Sequence, residues 1–223
     1  MAKSFENCGG PHDLSSAHSA SSWESKSTTC AERAVIRYLT EVPSRHRGKA
    51  LLHVGIGNGA LFAATGSGLR SFTGITISRP ELDQFQRTFN NAANAHVILA
   101  NKHDERTFAS IGEGFDLIVD VNLKSFACCE THFMGTMLYF AQSLRPRGQV
   151  LTAQSGLDFG WGGNTATAYT PGADPDPRLG AQRILGAAEL ANLSVDLGLT
   201  LQRVRVPGTF ECNAETLWIL EKA

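Results

Sequence analysis

The chain has 223 residues, 42% of them hydrophobic, and a formal net charge of −1. That length fits one domain with a sizeable core, and the near-neutral balance argues against a strong field toward nucleic acid or an anionic membrane. The aromatic residues are scattered without basic–aromatic interleaving, and no apolar stretch approaches the roughly 18 residues needed to cross a bilayer.

The N-terminal stretch "MAKSFENCGGPHDLSSAHSASS" lacks a signal-peptide core. Residues 1–27 are rich in Ser, Gly and Ala and predict a flexible leader or a flap that orders over a site, with Trp23 as a substrate-facing candidate. The five cysteines, Cys8, Cys30, Cys128, Cys129 and Cys212, are odd in number and form no CxxC pair. That pattern predicts free thiols in a reducing cytoplasm, not a disulfide framework or a zinc knuckle. The histidines never fall at HxH or HxxxH spacing with an acid on one helix, so no metal site is expected.

The domain proper spans residues 28–223. "STTCAERAVIRYLTEV" predicts a helix capped by Ser27 or Thr28, with Glu32 near the capping-box position and an apolar stripe of Ala34, Val35, Tyr38 and Leu39. A regular alternation follows. "ALLHV", "FTGITI", "HVILA", "FDLIVDV" and "QVLTAQS" read as buried strands. Helices are expected between them, with Ser78 as the cap of "SRPELDQFQRTFNNAA" and "RPRG" as a turn before the fifth strand. After a Gly/Pro-rich loop and one more helix, "LTLQRVRVP" and "ETLWILEKA" have no helix between them and predict an antiparallel hairpin. The expected fold is therefore α/β: a three-layer, Rossmann-like, mostly parallel seven-stranded sheet ending in that C-terminal hairpin.

The first strand runs into "GIGNG", with glycines at Gly55, Gly57 and Gly59. Glycines let a backbone turn tightly and approach a ligand, and a following helix presents free N–H groups to polar ligand atoms. The pattern is neither the dinucleotide GxGxxG nor a phosphate loop.

Four ordered stretches resemble the class I S-adenosylmethionine (SAM) dependent methyltransferases. "LLHVGIGNGAL" resembles their first motif. "FTGITIS" resembles the second strand of the branch that includes cyclopropane-fatty-acid synthases and many small-molecule methyltransferases. "FDLIVDV" resembles the fourth-strand motif, and "SLRPRGQVLTAQ" the turn before strand five. The resemblance covers roughly residues 48–223. It implies SAM as cofactor, with Gly55, Gly57 and Gly59 lining the methionine end and Asn58 at the helix start. It implies Thr76 and Ile77 near ribose and adenine, and Asp104, beside His103, near the adenine amino group.

Two acids of that family are missing. At His53 the first motif usually carries Asp, and at Thr76 the second strand often ends in Asp or Glu. A threonine hydroxyl cannot replace a bidentate carboxylate, whereas a neutral His53 offers one donor and one acceptor to brace the loop. The double loss keeps alive a same-fold enzyme that cyclises or eliminates on a natural-product intermediate without methylating. A non-catalytic, methyltransferase-like subunit is a further alternative.

Ligands of open α/β sheets bind outside the carboxyl ends of the strands. The catalytic candidates are Asp120 and His132 as proton acceptors, with Asp158 paired to Asp120 for acid–base chemistry on an amine if the fold no longer binds SAM. Asn122, Lys124, Trp161 and Tyr169 are the substrate-binding candidates, the last two on a long loop of residues 155–177 that reads as a lid. Cys128 and Cys129 read as buried filler. The expected activity is methyl transfer to O, N or C of a small molecule in secondary metabolism. A homodimer or a small partner protein is compatible with the sequence, and neither nucleic acid nor membrane is expected.

Overall fold

A computed structural model describes residues 27–124, 130–157 and 185–223. The first helix, α1 (Cys30–Glu41), is capped by Thr29, whose side chain accepts a hydrogen bond from the Glu32 amide. The cap thus falls one residue beyond the two expected positions. Ala34, Val35, Tyr38 and Leu39 are buried, as the 3.6-residue stripe requires.

Five strands and their crossovers follow in chain order: β1 (Ala50–Val54), α2 (Ala60–Thr65), β2 (Ser71–Thr76), α3 (Arg79–Thr88), β3 (Ala95–Leu99), α4 (Glu105–Ile111), β4 (Phe115–Val119), α5 (Glu130–Ser143) and β5 (Leu144–Ala153). A short helix α6 (Gln154–Leu157), a helix α7 (Ala187–Asp196), β6 (Leu199–Val206) and β7 (Glu215–Lys222) complete the described elements. The seven strands form one sheet in the order β3-β2-β1-β4-β5-β7-β6. β1 to β5 pair in parallel, while β7 runs antiparallel to both β5 and β6. The terminal hairpin is the expected one, inserted so that β7 lies inside and β6 forms the edge.

Residues of β1 alternate between two cores. Ala50, Leu52 and Val54 join Phe133, Met137, Phe140 and Leu190 on the α5/α7 side. Leu51 joins Val35, Leu39, Leu61, Phe62 and Phe85 on the α1/α2/α3 side. Helices therefore cover both faces, the requirement of a parallel sheet whose strands are apolar throughout.

Two expectations are corrected here. "RPRG" is not a turn before β5 but an irregularity within it. Arg147 adopts φ 61°, and the ladder to β4 skips from Phe115–Leu144 to Leu117–Gln149. The thiols are not all free: Cys30 and Cys212 form a disulfide across 182 residues of sequence. Spacing gave no sign of the pair because the two cysteines meet only where α1 docks on the β6–β7 connection. Arg33 pairs there with Glu211, and Arg37 donates to the Pro207 carbonyl at 2.9 Å. Among the described residues no helix is long and apolar enough to cross a membrane.

Candidate functional site

The carboxyl ends of β1 and β2 carry the glycine loop. Gly55, Gly57 and Gly59 have φ of 74°, 54° and 79°, a region that side-chain-bearing residues rarely adopt. Their surroundings differ. A β-carbon at Gly59 would lie 2.7 Å from the Phe89 ring, so this glycine serves packing against the Phe62–Phe85–Phe89 cluster. Among the described residues, a β-carbon at Gly55 would meet nothing within 4 Å, and one at Gly57 only the Glu32 carboxylate, at 3.7 Å. Among the described residues, Gly55 and Gly57 therefore present backbone that no side chain covers. α2 has only six residues, so the loop itself, not an extended helix dipole, is the feature of interest. Asn58 ties the loop down: its side-chain oxygen accepts from the Ala60 amide at 3.1 Å, and its amide donates to the Thr28 hydroxyl at 3.1 Å.

His53 lies beneath this loop, 1% exposed, opposite Gly74 on β2 and Val119 on β4. Its ring stands edge-on to Phe72 at 6.2 Å, and neither ring nitrogen has a hydrogen-bond partner among the described residues. Burial lowers its pKa to about 3, so the imidazole is neutral. The expected hydrogen-bonded brace is not made; His53 packs as an apolar ring.

Thr76 ends β2. Its hydroxyl donates to a Glu81 carboxylate oxygen at 2.6 Å and accepts from the Ser78 amide at 3.0 Å. Ser78 caps α3 as expected, accepting from the Glu81 amide at 3.4 Å. Glu81 is buried. Ile77, next in the chain, is half-buried.

The same device occurs twice. Glu32 and Glu81 each stand three residues beyond a hydroxyl cap, Thr29 and Ser78. A carboxylate in a first helical turn is stabilised by the exposed N–H groups there. Each is buried and turned toward the edge where the sequence motif lacks an acid: Glu32 toward Gly57, Glu81 toward Thr76. The sequence placed Glu32 near a capping-box position but tied neither acid to the loop, because motif reading scores the strand position. For Glu81 the signal that could have found it is the S-x-x-E spacing after Ser78.

The ends of β3 and β4 are arranged differently. Asp120, 1% exposed, accepts from the Lys102 ammonium at 2.7 Å and from the Asn122 amide at 3.1 Å. Lys102 also donates to the Asn122 carbonyl at 2.7 Å. Burial pushes the Lys102 pKa below its ordinary value, and the Asp120 carboxylate opposes that shift. Both Asp120 oxygens are thus engaged in holding the two loops together. Lys102 is a residue that the sequence reading missed.

Asp104 caps α4, accepting from the Arg106 amide at 2.9 Å and from its guanidinium at 2.5 Å. His103 is buried, with Nδ1 2.6 Å from the Thr136 hydroxyl of α5. His132 is buried in the first turn of α5, its carbonyl accepting from Thr136 at 3.0 Å. Lys124 is buried, its ammonium 4.8 Å from the Phe133 ring centroid. The structure thus brings Gly55, Gly57, Asn58 and Glu32 together at one end, and Lys102, Asp120 and Asn122 at the other. Asp158, Trp161, Tyr169, Trp23, Cys128 and Cys129 lie outside the described residues.

No protein-family profile and no curated protein sequence matches the chain. Solved structures do. The N-methyltransferase NodS from Bradyrhizobium japonicum WM9 superposes with a TM-score of 0.58 at 15% identity, covering 86% of this chain and 94% of that one. The Burkholderia thailandensis 1,6-didemethyltoxoflavin-N1-methyltransferase, solved with its substrate and S-adenosylhomocysteine (SAH), gives 0.59 at 16% identity over 91% and 81%. Magnesium protoporphyrin IX methyltransferase from Synechocystis PCC 6803, with bound SAM, gives 0.54 at 14% identity over 86% and 77%. The fold is a SAM-methyltransferase fold. Within that fold the loop of residues 55–59 is the turn after the first strand, and the edge occupied by Lys102 and Asp120 follows strands three and four.

Proposed function

We propose that this protein is a SAM-dependent methyltransferase acting on a small molecule. The observation that carries the reading is the bare backbone at Gly55 and Gly57 flanked by two buried carboxylates, Glu32 and Glu81. The residues fit the group: an open cradle for its amino-acid end and a carboxylate beside Thr76 for a ribose. Gly55, Gly57 and Asn58 would hold the amino-acid portion, with Thr76, Glu81 and Ile77 near the ribose and Asp104 and His103 toward the base. When bound, SAM supplies an electrophilic methyl group open to in-line attack.

This chain's own residues then have to aim the acceptor and receive its proton. His132 and Asp158 are our candidates for the proton acceptor. Asp120, with both oxygens engaged by Lys102 and Asn122, is assigned to positioning the ends of β3 and β4. Asn122, Lys124, Trp23, Trp161 and Tyr169 are the proposed substrate contacts. Small-molecule acceptors, including those of secondary metabolism, are in keeping with the fold's neighbours such as the toxoflavin-precursor enzyme. The bonded Cys30–Cys212 pair removes the free-thiol argument for a cytoplasmic setting, so the reading is made without one.

One observation favours a second reading. Lys102 places a buried ammonium at the same sheet edge that would receive a sulfonium cation. That suits an enzyme of this fold that handles an anionic intermediate without methyl transfer. Mass spectrometry of natively purified protein separates the two. Retained SAM or SAH supports methyl transfer. No retained nucleoside, together with no calorimetric binding of SAM at millimolar concentration, supports the second reading.

A further inference from the structure

We propose that the Cys30–Cys212 bond is a reversible redox latch on the glycine loop: oxidised, it fixes the entry to α1 against that loop, and a dithiol reductant releases it. Its effect on ligand rests on the reading that a nucleoside carrying an amino-acid tail lies over Gly55–Gly59. The latch itself does not depend on what binds there.

The bond sits where a small local change reaches the site. Cys30 opens α1, and Cys212 lies in the β6–β7 connection of residues 207–214. Two residues before Cys30, the Thr28 hydroxyl accepts from the Asn58 side-chain amide at 3.1 Å. Two residues after it, Glu32 is buried, with one carboxylate oxygen 3.7 Å from where a β-carbon on Gly57 would be. The covalent anchor is therefore flanked on both sides by residues that face the glycine loop.

Both halves of the bond keep their places without it, which separates a latch from a permanent staple. On the hairpin side Thr209 ties the turn. Its amide donates to the Cys212 carbonyl at 2.8 Å, and its hydroxyl accepts from the Glu211 and Cys212 amides at 3.3 and 3.2 Å. On the helix side Arg33 pairs with Glu211, and Arg37 donates to the Pro207 and Gly208 carbonyls at 2.9 and 3.4 Å. The buried stripe of Ala34, Val35, Tyr38 and Leu39 lies beyond the first turn. Breaking the bond thus leaves α1 docked and the two sulfurs neighbours. What loosens is the entry to α1, and with it the Thr28–Asn58 contact, a local opening and not a global one.

Cys30 is exposed and Cys212 half-buried, so a reductant meets the Cys30 sulfur first. Its thiolate attacks Cys30 Sγ, the Cys30–Cys212 bond breaks, and Cys212 leaves as the thiolate. The reductant's second thiol then displaces Cys30 from the mixed disulfide. The protein gains two electrons and two protons as two thiols, and the dithiol ends as its own disulfide.

The test compares the full chain, oxidised and then reduced with dithiothreitol in the absence of denaturant. Peptide mapping assigns the bond, and oxidised glutathione should restore it. Amide hydrogen exchange reads the latch directly: reduction should speed exchange at residues 28–32 and 57–60 and leave β1 and residues 35–41 unchanged. Calorimetry should show SAH binding weakened about 3- to 10-fold by reduction, the range of one hydrogen bond, with 5′-methylthioadenosine unchanged. Cys212→Ser should match the reduced chain and give no response to dithiothreitol. A bond that yields only in denaturant overturns the proposal. So does a reduction that changes neither exchange nor SAH binding, or a response that persists in Cys212→Ser. Failure of the oxidised chain to bind SAH overturns the cofactor reading instead, and the exchange comparison still decides the latch.

Discussion

At the carboxyl ends of β1 and β2 the carboxylates come from helices; at the ends of β3 and β4 the carboxylate is Asp120, the residue after β4, and it is met by a lysine. Glu32 and Glu81 reach the first region from the opening turns of α1 and α3. Asp120 occupies the second region and is held by Lys102 and Asn122. The contrast separates two uses of a buried acid. Beside the glycine loop an acid faces backbone that a ligand can reach. Between the β3 and β4 loops an acid and an ammonium satisfy each other, and their product is a fixed geometry.

The largest expected effect breaks the second region. Asp120→Ala leaves the Lys102 ammonium buried without its counter-charge. It should lower stability by about 3–5 kcal/mol in denaturant unfolding. Replacing both partners, Asp120→Leu with Lys102→Met, should recover most of that loss. An unchanged midpoint in Asp120→Ala would mean that the pair does not hold these loops.

The next effect concerns how α1 is held to the hairpin. Cys212→Ser should destabilise the chain by about 3 kcal/mol, since the bond closes a very long loop. It should also weaken SAH binding more than it weakens binding of 5′-methylthioadenosine, which lacks the amino-acid tail. Equal weakening would detach the disulfide from the glycine loop.

A smaller effect sharpens the first region. Thr76→Val removes the donor to Glu81 and the acceptor of the Ser78 amide. A cost of about 2 kcal/mol in stability is expected, and SAH and 5′-methylthioadenosine should lose affinity alike, because both carry the ribose. A loss confined to SAH would move Glu81 away from the ribose.

The smallest effect at neutral pH is at His53. In the unfolded chain it protonates near 6.5, in the fold only near 3. Between those values the unfolded state binds the extra proton, so stability is full above pH 6.5 and is lost as pH falls toward 3. The slope is at most about 1.4 kcal/mol per pH unit. His53→Leu should flatten that slope in acid unfolding curves and add about 1 kcal/mol at neutral pH by removing two unpartnered nitrogens. An unchanged slope would show that His53 is not the buried neutral ring.

How much of this was legible in sequence follows from what sets each feature. Strand positions and the terminal hairpin were readable because buried parallel strands are apolar throughout and the last two lack a crossover helix. The glycine loop was readable from spacing alone. The "RPRG" irregularity was missed because turn residues inside a strand mimic a strand's end; only the Leu144–Phe115 pairing shows otherwise. The Cys30–Cys212 bond depends on docking between segments 182 residues apart, which local pattern cannot contain. The site was half legible. The absence of an acid at positions 53 and 76 is plain in the sequence, whereas the burial of Glu32 and Glu81 near these positions comes from other elements, through cap geometry that a motif does not record. Lys102 was invisible for a similar reason: a lone lysine reads as solvated until its burial against Asp120 is seen.

The most direct test of the account is calorimetric titration of the native full chain with SAH, alongside Glu32→Gln and Glu81→Gln. The account predicts saturable one-to-one binding by the wild type and at least about tenfold weaker binding by each folded variant. No binding by the wild type at millimolar SAH, or undiminished binding by both variants, would contradict it.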